Sequence, residues 1–178
     1  LAALEAGDDS ILFGMPSDHV IKNLEQLKHA LNNATNAASA GYICTFGIKP
    51  THPETGYGYI RAGEDIEVDG IQKVAQFTEK PSLENAESFI KTGEYHWNGG
   101  MFCLRADVFL SEWSRFDANS VDYLRQAFAQ RSIDQDFIRV GTEAFEAITS
   151  ESIDYAVMEK TDLATMVALD AAWSDIGA

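Results

Sequence analysis

An apolar run, a periodic helical segment and a second apolar run follow one another between residues 11 and 48, and this order constrains the fold most. Ile11-Leu12-Phe13-Gly14-Met15 reads as a buried strand, and Pro16-Ser17-Asp18-His19 breaks it. From Val20 to Ala38 the spacing predicts a helix with Ile21, Leu24, Leu27 and Leu31 on one face. Gly41 ends it, and Tyr42 to Ile48 is a second strand. A tight turn can join antiparallel strands, but a helix of this length between two strands implies a parallel crossover.

The same order returns further along. After a Pro/Gly/Thr-rich loop from Lys49 to Tyr59, Tyr59-Ile60-Arg61 and Ile66-Glu67-Val68 suggest a short hairpin around Gly63. A strand over Lys73 to Phe77 precedes a helix carrying Leu83, Ala86, Phe89 and Ile90, which enters through Pro81-Ser82 and stops at Gly93. A strand from Gly100 to Leu104 follows, then helices over Val108 to Phe116, Ser120 to Arg131, Glu143 to Ile148 and Ile153 to Glu159, and a last strand from Leu163 to Leu169. The expected architecture is α/β, with a mixed, mostly parallel sheet flanked by helices.

Composition narrows the partners. The 178 residues, 46% of them apolar, suit one domain with a real core. A formal charge of -15 opposes nucleic acid or an anionic membrane as a partner, so a phosphorylated ligand needs local cations or a metal. No apolar run approaches a bilayer span, and Leu1 to Gly14 lacks a basic start, so a cytoplasmic location is expected. Cys44 and Cys103 lie in apolar strands and read as small buried hydrophobes. The start at Leu1 and the end just after a motif-like turn suggest a piece of a longer protein.

Four polar clusters fall at expected strand ends, where ligands of parallel sheets gather: Ser17-Asp18, Glu79-Lys80, Asn98-Gly99-Gly100 and Trp173-Ser174-Asp175. Phe77 to Pro81 followed by His96 to Phe102 suits a polyhydroxyl ligand carrying a phosphate. A carboxylate accepts from sugar hydroxyls, an ammonium meets phosphate, and glycines admit close backbone approach. Each cluster also has a plainer reading. Asp18 could cap the following helix and Asp175 could begin a turn, or the two could share a magnesium ion. Glu79 and Lys80 could be a surface ion pair, with Pro81 expected to keep Lys80 extended. Gly56-Tyr57-Gly58-Tyr59 is either a loop with aromatic anchors or a loop of close approach. Asp154 suits either the dipole of its helix or a ligand. His19, His29, His52 and His96 show no metal-ligand spacing, and no serine or cysteine lies in an elbow-like glycine setting.

In order, Pro16 to Ile21, Pro50 to Ile60, Phe77 to Pro81, Trp97 to Phe102, Ser152 to Lys160 and Trp173 to Gly177 resemble the motifs of bacterial mannose-1-phosphate guanylyltransferases, over nearly the whole chain. The resemblance implies a nucleotide-diphospho-sugar transferase (GT-A-like) fold that joins mannose 1-phosphate to GTP, with magnesium as cofactor. It implies that Asp18 and Asp175 hold the metal, Glu79 and Asn98 bind mannose hydroxyls, Lys80 meets the sugar phosphate, Gly58 brings backbone to the sugar, and Asp154 also binds substrate. Two departures stand out. Gly99 replaces a serine common in the family, and the glycine-rich opening strand and loop that cradle the triphosphate are absent. Residues 1–178 are therefore expected to be a partial nucleotidyltransferase domain, inactive alone, an expectation that GDP-mannose formation by these residues would contradict. Loss of a first strand is also expected to favour a homo-oligomer. A thymidylyl- or uridylyltransferase acting on glucose 1-phosphate and a non-catalytic sugar-phosphate module remain alternatives.

Overall fold

The computed structural model describes residues 1–7 and 9–177. Six strands form the main sheet: β1 (Ile11–Gly14), β3 (Ile43–Ile48), β4 (Tyr59–Asp65), β5 (Ile71–Thr78), β6 (Tyr95–Arg105) and β9 (Ala164–Ala168). Two small ladders lie outside it, β2 (His19–Ile21) with β10 (Trp173–Asp175), and β7 (Ser132–Asp134) with β8 (Phe137–Arg139). The helices are α1 (Ala2–Ala6), α2 (Leu24–Ser39), α3 (Leu83–Thr92), α4 (Ala106–Phe116), α5 (Ala118–Ala129) and α6 (Thr142–Glu146), with a π-helical turn at Asp154–Met158. No described helix is long and apolar enough to cross a membrane.

The sheet is mixed, as expected, but its neighbours are not mostly parallel. The order is β1-β6-β3-β9-β5-β4, and among the described residues only β3 and β9 pair in parallel. β1 and β3 do run the same way, joined by α2, yet the reversed β6 lies between them and pairs antiparallel with both. β5 is reversed in the same manner between β9 and β4. The crossover thus skips a strand, which periodicity along the chain cannot register. β4 also pairs with the first residues of β6, curling the sheet so that the start of β4 lies beside the end of β5 and the start of β6.

Both faces of β3 are buried, consistent with its central place. Cys44, Phe46 and Ile48 pack with Trp97 and Met101 under α2, while Ile43 packs with Phe102, Leu104, Val157 and Met158 toward α4. Complete burial of side chains this large contributes about 1.5–3 kcal/mol each. The small Ala30, Ala34, Ala37 and Ala38 bring α2 close to the sheet. Burial pushes the Cys44 thiol up to about 12 and raises that of Cys103, so both behave as hydrophobes.

Several local expectations are corrected. The helix begins at Leu24, capped by Asn23, whose side chain accepts from Gln26 N at 3.2 Å; Val20 and Ile21 are strand, and Leu24 is exposed. Asp18 therefore caps nothing. No hairpin turns at Gly63: β4 continues to Asp65 and pairs with β5 beyond a turn at 66–70. α3 follows expectation, capped by Ser82 and ended by Gly93 at φ 72°. The β7–β8 hairpin interrupts the stretch read as purely helical.

Candidate active site

β2 and β10 are three residues each, too short to announce themselves in the sequence, yet they position the two carboxylates. Their register sets Asp175 opposite His19 and Trp173 opposite Ile21, and Ile176 N donates to Asp18 O at 3.1 Å. Asp18, His19 and Asp175 consequently offer ligand atoms that all lie within 4.8 Å of one another. Two carboxylates at such a separation repel by about 1 kcal/mol in water and about 3 kcal/mol at an effective dielectric near 20. A cation between them reverses the sign.

The donor set suits a hard divalent ion. Gly177 N donates to Asp175 Oδ1 at 2.7 Å, and a Cβ on Gly177 would come 2.9 Å from Asp18 Oδ2 and 3.3 Å from Asp175 Oδ1. Glycine keeps that space open between oxygens of the kind magnesium prefers. His19 was set aside for want of metal-ligand spacing along the chain; the fold brings it in. Trp173 Nε1 donates to His19 Nδ1 at 3.1 Å, and an indole nitrogen only donates. In the neutral ring the hydrogen is therefore on Nε2, which faces Asp175 Oδ2 at 4.0 Å. At that distance His19 is a close neighbour of Asp175 without a hydrogen bond to it.

A cleft of about 150 Å³ joins this ladder to the other clusters, lined by Tyr57, Gly58, Glu79, Asn98, Asp154 and Asp175 among others. A larger groove of about 440 Å³ beside Leu110 and Arg115 gathers none of these clusters. The clusters do not meet beyond the carboxyl ends of a parallel sheet. Asn98 lies inside β6, where the pairing with β3 jumps from Gly47–Asn98 to Thr45–Phe102. The resulting bulge, with Gly100 at φ 64°, turns Asn98 into the cleft. A Cβ on Gly99 would come 2.9 Å from Phe46 O, so a side chain at this position would force the bulge to shift.

Asn98 is held at both ends of its amide. Its Oδ1 accepts from Thr45 Oγ1 at 2.7 Å and Gly100 N at 3.3 Å, while Nδ2 donates to Asp154 Oδ1 at 2.9 Å. Gly58 passes close to this group: Asn98 N donates to Gly58 O at 2.8 Å, and a Cβ on Gly58 would come 2.5 Å from Glu79 Oε2. The loop before it is braced by Gly56 N on Glu54 Oε1 at 2.9 Å and Tyr59 Oη on Glu54 O at 2.8 Å. Tyr57 packs edge-on against Trp97 and Trp173, which ties the loop to β6 and β10. Glu54 and Trp173 carry this bracing, a role the sequence assigns to neither.

Lys80 is not extended. Its φ is +45°, a strained value for a side-chain-bearing residue and unusual before proline. Two hydrogen bonds hold the turn, Lys80 N to Tyr57 O at 3.2 Å and Glu79 N to Glu159 Oε1 at 3.1 Å. Lys80 Nζ lies 3.8 Å from Glu79 Oε1, with the lysine side chain 61% exposed and the glutamate 11%. Such a half-exposed pair adds little to stability. Burial pushes the Glu79 carboxyl up to about 7, with Asp154 and then Glu159 adding to the rise and Lys80 opposing it. Asp154 is also raised, by burial first, against hydrogen bonds from Ser152 and Asn98. The cleft is thus lined by the carboxylates of Glu79, Asp154 and Asp175, while Lys80, which does not line it, stays largely exposed beside Glu79.

A family model described as nucleotidyl transferase matches residues 1–178. The chain is 47% identical over 180 residues to the xanthan biosynthesis protein XanB of Xanthomonas campestris, covering 99% of this chain and 38% of that protein. It is 45% identical over 185 residues to the mannose-1-phosphate guanylyltransferase of Escherichia coli strain K12, covering 99% of this chain and 39% of that protein. Among solved structures, one titled mannose-6-phosphate isomerase from Helicobacter pylori superposes with a TM-score of 0.87 at 33% identity, covering 98% of this chain and 67% of that one. The chain spans less than two fifths of the length of these two curated relatives.

Proposed function

The chain belongs to the nucleotidyl transferase family, and on that premise we propose that its cleft is the sugar-phosphate and metal side of a mannose-1-phosphate guanylyltransferase. The observation that supports this most is one cleft lined by Glu79, Asn98, Asp154 and Asp175, with Asp18 close to Asp175 and Lys80 Nζ 3.8 Å from Glu79, though neither Asp18 nor Lys80 lines the cleft itself. The reaction forms a bond from a phosphate oxygen of mannose 1-phosphate to the α-phosphorus of GTP and breaks the α–β P–O bond, releasing pyrophosphate. The attacking phosphate is already an anion, so alignment and charge neutralisation are the main tasks.

Each residue has a part in that task. Glu79 accepts from mannose hydroxyls, Asn98 offers its remaining amide hydrogen, and Gly58 lets backbone approach the ring. Lys80, turned by its left-handed backbone, meets the sugar phosphate, and Asp154 orients Asn98. Asp18 and Asp175 would hold magnesium, which when bound neutralises charge on the reacting phosphates. The test is pyrophosphate release by the full-length protein with mannose 1-phosphate and each of four nucleoside triphosphates. GTP is expected to give the highest kcat/KM; dTTP or UTP in its place would support the glucose 1-phosphate alternative.

We also propose that two copies associate along β1. Among the described residues this edge strand pairs only with β6, and Leu12 and Phe13 in it and Met15 just beyond it are 42%, 37% and 50% exposed. Light scattering of the chain at micromolar concentration is expected to give twice the monomer mass or more, and a monomer would contradict it.

A further inference from the structure

Thr45 is buried in the middle of β3 and belongs to no motif of the expected site. Its hydroxyl lies 2.7 Å from Asn98 Oδ1 and 3.1 Å from Met101 O, bridging the two ends of the β6 bulge. We propose that Thr45 is a positioning residue for the sugar-phosphate site, fixing which end of the Asn98 amide is presented to the ligand. This rests on the reading of Asn98 as a sugar-binding group.

The donors and acceptors decide the orientation. Gly100 N can only donate and faces one end of the amide, so that end is the oxygen, and the Thr45 hydroxyl gives it its single hydrogen at 2.7 Å, shorter than its 3.1 Å approach to Met101 O. Asp154 Oδ1 faces the other end at 2.9 Å and only accepts when ionised, so that end is the nitrogen. With the oxygen taken twice and one amide hydrogen taken by Asp154, the second hydrogen on Nδ2 is the group left for a ligand hydroxyl. Without the Thr45 hydroxyl, the oxygen keeps only the longer bond from Gly100 N, at 3.3 Å. A buried amide losing its shorter partner is free to rotate away from Asp154.

The test is a set of substitutions in the full-length protein. Thr45→Val keeps the shape and the β-branch, and it is expected to raise the KM for mannose 1-phosphate about tenfold, the effect of one lost buried hydrogen bond, with the KM for GTP unchanged. Thr45→Ser restores the donor and is expected to restore the KM. Thr45→Cys, a weaker donor, is expected to fall between the two and carries the comparison if the valine variant does not fold. An unchanged mannose 1-phosphate KM in Thr45→Val, or equal rises for both substrates, overturns the inference. Asn98→Ala separates the two ideas. If it raises the sugar-phosphate KM while Thr45→Val does not, only the role of Thr45 falls; if it has no effect, the reading of Asn98 falls with it.

Discussion

Asp175→Asn in the full-length protein is expected to lower kcat for GDP-mannose formation by about 10²- to 10³-fold, the usual scale for removing one preorganised electrostatic group from a reacting centre. The substitution is nearly isosteric, and an asparagine Oδ1 can still accept from Gly177 N, the bond that measures 2.7 Å to the aspartate. What disappears is one negative charge beside Asp18. Because that charge repels Asp18 within 4.8 Å in the absence of a cation, the variant should fold at least as stably as the parent. Loss of turnover without loss of melting temperature is the signature expected of a metal carboxylate. A purely turn-forming aspartate would leave kcat unchanged, since asparagine keeps the bond from Gly177 N, and that outcome would remove Asp175 from the centre.

Glu79→Gln has the second large effect. A charged acceptor contributes about 1.5–3 kcal/mol to a hydrogen bond, so its replacement should raise the KM for mannose 1-phosphate about 10- to 100-fold. The KM for GTP should change far less, and equal changes in both would argue against a sugar role. The same variant reads out the shifted carboxyl. With its pKa raised to about 7 from a usual 4.5, folded Glu79 holds a proton that the unfolded chain has already released between those values. Stability from this group is therefore greatest below 4.5 and is lost as pH rises through 7. Glutamine imitates the protonated form without titrating. The variant should melt close to the parent at acid pH and above it in mildly alkaline buffer, where the parent carries the charge beside Asp154 and Glu159. A parent that gains stability relative to the variant as pH rises would contradict the burial of this carboxyl.

Long periodic elements were legible before the structure, and short paired ones were not. α2, β3 and α3 follow from apolar spacing, a capping serine and stopping glycines, because the forces that shape them act within a few residues. β2 and β10 are each three residues and find one another across most of the chain, so no local pattern marks them. With them went the company of His19, whose place beside Asp175 depends on that ladder. Asn98 was recognisable by its glycine pair, but the bulge that carries it depends on Thr45 and Phe46 of a strand more than fifty residues earlier. Lys80 is the sharpest reversal. The preference of a residue before proline for extended backbone is local, and it yields here to hydrogen bonds that Lys80 N and Glu79 N donate to Tyr57 O and the Glu159 side chain. The direction of β5 and β6 escaped for the same reason, since a crossover that skips a strand has the same sequence pattern as one that does not.

The central claim is that the Asp18–Asp175 ladder and the Glu79–Asn98 pocket serve one reaction centre. The measurement that meets it most directly is the phosphorus relaxation rate of mannose 1-phosphate with the full-length protein, using Mn²⁺ in place of magnesium as a paramagnetic probe. The account predicts strong enhancement with the parent protein and its loss when both Asp18→Asn and Asp175→Asn are introduced, with mannose 1-phosphate still bound by calorimetry. Enhancement that persists without the two carboxylates would place the metal elsewhere and contradict a shared centre.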